Sequence, residues 1–139
     1  MRNRPDQRPR KTKGKSWDGN TYNLVALGHG VSGIVFAIDS KRVVKVDVGT
    51  QRSIQDLQTE RKAYERLSGG HRYVLSCLDY KNPRGLVLKR CGNTVRRHRQ
   101  SMPEDEPSND ETIRRWAFEA AKGLEYVHMC GVIQGDGQL

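Results

Sequence analysis

The chain has 139 residues, carries a formal charge of +9 and is 35% hydrophobic. That length suits one domain and excludes a large multi-domain enzyme. No stretch approaches the roughly 18 apolar residues of a membrane span, which excludes an integral helical membrane protein.

The charge is unevenly placed. Residues 1–15 hold seven basic side chains against the single Asp6, a net of +6, leaving +3 for residues 16–139. After Met1 this segment has no apolar residue until Trp17. It cannot repay the entropy of ordering and reads as a solvated, disordered basic tail over residues 1–18. Arg8-Pro9-Arg10-Lys11-Thr12-Lys13 could serve nuclear import or weak phosphate binding. No aromatic interleaves with these charges, so nucleic acid is an unlikely partner. No apolar run follows the charged start, so a secretory signal is not expected. Cys77, Cys91 and Cys130 are odd in number and far apart, which fits neither a disulfide framework nor a metal cluster. An intracellular protein is expected, cytoplasmic or nuclear, with no membrane partner.

Residues 22–27 read as a strand leading into Gly28-His29-Gly30-Val31-Ser32-Gly33. Residues 34–38 are apolar and β-branched, Asp39-Ser40-Lys41 supplies a turn, and residues 42–48 form a third strand. In its period of two, Val44, Val46 and Val48 face one side, and Val43, Lys45 and Asp47 the other. Residues 51–67 change period: Ile54, Leu57, Tyr64 and Leu67 make the stripe of an amphipathic helix, ended by Gly69-Gly70. Strands follow at residues 73–78 and 85–88, joined through Lys81-Asn82-Pro83-Arg84.

Beyond Gly92 a basic, helical piece (residues 95–100) precedes an acidic linker, residues 103–107. Ser108 and Glu111 have capping-box spacing before a second strong helix. Its stripe is Ile113, Trp116, Ala117, Ala120, Leu124 and Val127. Residues 131–136 then read as a short strand and loop.

The glycine string Gly28 to Gly33 is followed by a strand, whereas a dinucleotide site needs a helix there. It therefore reads as a hairpin flap whose backbone amides can lie over phosphates, or as an ordinary glycine-rich hairpin. Lys45 alone would be an edge-strand lysine. Glu60 complicates that, because it lies between Leu57 and Tyr64 in the helix stripe. A carboxylate there needs a partner or must lie at the solvated edge of the stripe, and Lys45 is the natural partner.

These residues in this order resemble the protein-kinase family. Gly28-His29-Gly30-Val31-Ser32-Gly33-Ile34-Val35 matches G-x-G-x-x-G-x-V, and Arg42-Val43-Val44-Lys45 stands where V-A-I-K would. The resemblance, over residues 22–139, implies an α+β fold. A kinase-like N-terminal lobe (residues 19–92) would hold a five-stranded antiparallel sheet with one C helix. Residues 93–139 would start a C-terminal lobe that the chain leaves incomplete. The implied activity is ATP-dependent phosphoryl transfer to a protein hydroxyl. Lys45 would hold the α- and β-phosphates of ATP and pair with Glu60. Gly28, Gly30 and Gly33 would form the phosphate flap, and Leu27, Val35 and Val43 the adenine ceiling. Leu88 would be the gatekeeper, and Lys89 and Cys91 of the Lys89-Arg90-Cys91 hinge would meet adenine. Gln134-Gly135-Asp136 falls where H-R-D belongs, making Asp136 the implied catalytic base.

Three departures carry consequences. Val43 replaces alanine and narrows the adenine pocket by two methyl groups. Gln134 and Gly135 replace histidine and arginine, removing the arginine that reads an activation-loop phosphate. The Mg²⁺-binding asparagine would stand five residues after Asp136, past Leu139, and the second metal aspartate further on. Mg²⁺ is thus implied by the resemblance, but its ligands are not in the chain. The chain alone is expected to be an incomplete fragment that transfers phosphate negligibly. The apolar stripe of the second helix is expected to promote self-association. A non-catalytic regulator that binds nucleotide or a protein partner is the alternative, and a basic nucleic-acid-binding module a more distant one.

Overall fold

The structure is a computed structural model that describes residues 16–92 and 110–133. The basic tail, the basic piece at 95–100, the acidic linker, Ser108 and Gln134-Gly135-Asp136 lie outside the described residues. The architecture is α+β, with a five-stranded antiparallel sheet and, among the described residues, two helices. The strands are β1 (Val25–His29), β2 (Ile34–Ala37), β3 (Arg42–Val46), β4 (Cys77–Asp79) and β5 (Leu86–Lys89). Helix α1 (Gln51–Arg66) lies between β3 and β4, and α2 (Asp110–Met129) follows β5. The strand order is β1-β2-β3-β5-β4, so the α1 excursion carries the chain past β5's place to the far edge.

Alternation along β3 and β5 divides the core. Val43 pairs with Leu88 and Lys45 with Leu86, so all four side chains share one face. On that face Val43, Leu86 and Leu88 pack with Leu57 of α1, and Val35, Tyr64, Cys77 and Tyr80 close round them. On the other face Val44 and Val87 pack with Trp17, flanked by Leu24, Phe36, Ile38 and Val46. Gly85 enters β5 where a Cβ would lie 2.7 Å from Val44 Cγ2 and 2.8 Å from Lys45 O. Only glycine lets β5 approach β3 so closely.

Three strands differ from the sequence expectation by two residues or more. The first strand starts at Val25, because Tyr22 N–H donates to Asn20 Oδ1 and Leu24 N–H to Thr21 O in a preceding turn. The third stops at Val46. Asp47 Oδ1 accepts Gly49 N–H at 2.8 Å, which bends the chain and leaves Val48 40% exposed instead of aligned with Val44. The fourth is only Cys77–Asp79, since residues 71–74 turn: Tyr73 N–H donates to His71 Nδ1 and Val74 N–H to His71 O. Residues 131–133 are turn and coil, so no strand starts there.

Helix α1 is started by Thr50, whose side chain accepts Ser53 N–H. Ser53 is itself fully buried, and its Oγ accepts Val48 N–H and donates to Thr50 O, both at 3.1 Å. Helix α2 opens with Asp110 and Glu111, which suit the positive end of its dipole. Its predicted apolar stripe is only partly covered, with Trp116 and Val127 half-buried. Ile113 and Leu124 are 44% and 39% exposed, whereas Gly123 is buried where a Cβ would lie 2.7 Å from Tyr73 O. Tyr126 stacks on His71 with ring centroids 4.9 Å apart, and Arg66 donates to Gly131 O.

Candidate functional site

The β1–β2 hairpin carries the glycine flap. Gly30 N–H donates to Gly33 O at 2.9 Å, which closes its tip, and the register slips at Leu27, a bulge that bends β1. The glycines have different tasks. A Cβ at Gly28 or Gly30 would meet nothing within 4 Å, so both stand against open space. Gly33 is buried, and a Cβ there would lie 2.5 Å from Val46 O and 3.4 Å from the Lys45 side chain. The flap therefore rests on the stem of Lys45.

Strand β3 projects Lys45 toward α1, where its Nζ lies 2.7 Å from Glu60 Oε2. Both side chains are largely withdrawn from solvent, at 19% and 29% exposure. One ammonium hydrogen serves Glu60, leaving two for another acceptor. Tyr64, one turn beyond Glu60, has its phenol pushed above its ordinary value, by burial first and then by the Glu60 carboxylate. Burial likewise pushes the Cys77 thiol up to about 11, partly offset by the Asp79 backbone N–H, which favours the thiolate.

Around this pair Val35 is half-buried, Val43 and Leu88 are buried, and Leu27 is 43% exposed at the bulge. Lys89 and Cys91 are exposed on the segment leaving β5. Lys89 N–H donates to Ser76 O and Arg90 N–H to Lys41 O, so two of the three amides in that segment are already engaged. The structure thus joins Gly33, Val35, Val43, Lys45, Glu60 and Leu88 on and beside one sheet face. Gly28, Gly30 and Leu27 are at its open margin. Asp136 lies outside the described residues. Among the described residues, no cluster of three His, Cys, Asp or Glu could hold a metal ion, and no helix is long and apolar enough to cross a membrane.

A cavity of about 420 Å³ lies elsewhere, between the end of α1 and β4, lined by Tyr64, Leu67, Val74, Cys77 and Tyr80 among others. It reaches neither the flap nor Lys45.

Sequence patterning did not single out Arg61. This neighbour of Glu60 sends its NH1 to Tyr80 O and, at 2.7 Å, to Asn82 O in the β4–β5 connection. A charged residue beside the stripe was its only local signal. No protein-family model matches the chain, and neither curated proteins nor solved structures give a match.

Proposed function

We propose that this chain carries the nucleotide-binding lobe of a divergent protein kinase, which transfers phosphate from ATP to a protein hydroxyl. The observation that carries the reading is the Lys45–Glu60 pair at 2.7 Å, with the stem of Lys45 beside Gly33 at the foot of the glycine flap. A withdrawn ammonium with two hydrogens to spare is suited to a polyphosphate, and amides at an uncrowded glycine hairpin add neutral donors.

In this reading Lys45 binds the α- and β-phosphates, Glu60 holds Lys45, and the Gly28 and Gly30 backbone covers the phosphates. Leu27, Val35 and Val43 form the ceiling over adenine, and Leu88 is the gatekeeper behind it. Lys89 and Cys91 offer main-chain polar groups to its edge. Asp136 is the base that takes the proton of the acceptor hydroxyl. Among the described residues, the groups that would meet phosphate are Lys45 and the flap amides. A nucleotide-binding regulator without transfer would use the same residues.

Thermal unfolding with and without ATP tests the reading. At 100 times its dissociation constant, ATP should stabilise the wild type by about 2.7 kcal/mol, a rise of several degrees in Tm. Lys45→Met should lose most of that response. A wild type indifferent to millimolar ATP would refute nucleotide binding. ATP binding without transfer in a chain continued past Leu139 would select the regulator.

A further inference from the structure

Helix α1 carries Glu60 but is thinly anchored in apolar terms: of its sixteen residues, only Ser53 and Leu57 are buried. Ser53 pins the N-terminal turn through Val48 and Thr50. On the apolar side the half that bears Glu60 is held by Tyr64, half-buried against the β3–β5 core, and near its end Arg66 donates to Gly131 O.

Arg61 adds a polar tie on a second side of the helix. Adjacent helix positions diverge by about 100°, so Glu60 and Arg61 leave α1 in different directions. Glu60 reaches β3, while Arg61 reaches the Tyr80 and Asn82 carbonyls between β4 and β5. Those carbonyls are held in place locally. Asp79 Oδ1 accepts Lys81 N–H and Asn82 Oδ1 accepts Arg84 N–H, two side-chain-closed turns. Asn82 Nδ2 also donates to the backbone of Trp17, whose side chain belongs to the opposite core. The guanidinium therefore ties α1 to a rigid connection that both cores share.

We infer that Arg61 is a positioning residue: it latches α1 so that Glu60 meets Lys45 before any ligand is present. Without it, the Glu60 half of α1 can turn about the Ser53 pin and the ion pair loosens. The consequence for nucleotide affinity rests on the function proposed above; the consequence for the ion pair does not.

Acylation of the Lys45 amine by an N-hydroxysuccinimide ester, followed by peptide mass spectrometry on the full chain, reads the pair directly. Arg61→Ala should speed Lys45 labelling about tenfold, the scale of one charge-assisted hydrogen bond, and approach the rate of Glu60→Gln. Arg61→Lys, which keeps a charged donor, should restore protection. Lys41 and Lys122, both exposed and away from the Tyr80–Asn82 connection, should keep their wild-type rates. If Arg61→Ala loses its folded far-UV spectrum, Arg61→Gln takes its place with the same expectation. Wild-type protection of Lys45 in the folded variant, while Glu60→Gln is fast, would overturn the latch. So would an equal acceleration at all three lysines, which reports general loosening. Labelling repeated with ATP separates the two ideas. No protection by ATP in the wild type, with Arg61→Ala still faster, would sink nucleotide binding and leave the latch standing.

Discussion

Removing one partner of the Lys45–Glu60 pair strands the other in a half-dry site. At 2.7 Å the gross attraction is about 6 kcal/mol for an effective dielectric near 20, and desolvation of both charges offsets most of it. Exposed pairs are worth about 0–1 kcal/mol, and breaking a fully buried one costs about 3–5 kcal/mol. With 19% and 29% exposure this pair lies between those limits, so a coupling of about 1–2 kcal/mol is expected. Lys45→Met keeps the unbranched stem on which Gly33 rests, and Glu60→Gln keeps the shape of the carboxylate. Urea unfolding of wild type, both single variants and the double variant gives the coupling from a double-mutant cycle. Each single variant should lose about 1–2 kcal/mol, and the double should lose little more than the worse single. Additive losses within about 0.5 kcal/mol would show that the two groups do not interact, and would remove the support for both proposals.

Gly33→Ala forces a Cβ within 2.5 Å of Val46 O and should cost about 1–3 kcal/mol. Gly30→Ala meets open space and should stay within about 0.5 kcal/mol; equal losses in urea unfolding would contradict this division of the flap. At pH 8 a maleimide should modify exposed Cys91 well before Cys77, whose thiol burial raises to about 11; comparable rates would show that Cys77 is not shielded. The Lys41 amide and then the Arg42 side chain hold the Asp39 carboxyl below its usual 3.8. A depressed folded-state value means its stabilisation is complete above that pH and is lost as pH falls through the lower folded value. Asp39→Asn should therefore flatten the acid limb of a urea-midpoint profile below about pH 4, and an unchanged limb would contradict the turn's electrostatics.

The elements were largely legible in the chain because their signals are local. Period-two valines marked β3, a helical stripe marked α1, and a carboxylate inside that stripe pointed to Lys45. The pairing of β3 with β5 was not legible, since it depends on where α1 returns the chain. The short β4 was not legible either: Tyr73 and Val74 have strand-forming side chains, but His71 captures their amides into a turn. Gly33 reads locally as part of a hairpin flap and Gly85 as the first residue of a strand, yet their nearest constraints are atoms of β3. The predicted stripe of α2 stays partly open, as expected of an unpartnered face, whereas the packing of buried Gly123 against Tyr73 was not legible, because glycine has no hydrophobic side chain to register. Arg61 was invisible for a related reason. Its partners are main-chain carbonyls, which every residue possesses, so no sequence pattern announces them. The sequence by itself determined which segments become strands and helices and which two charges should meet. Tertiary structure alone decided the strand order, the packed face of α2 and the latch on α1, because each depends on backbone groups brought together from distant parts of the chain.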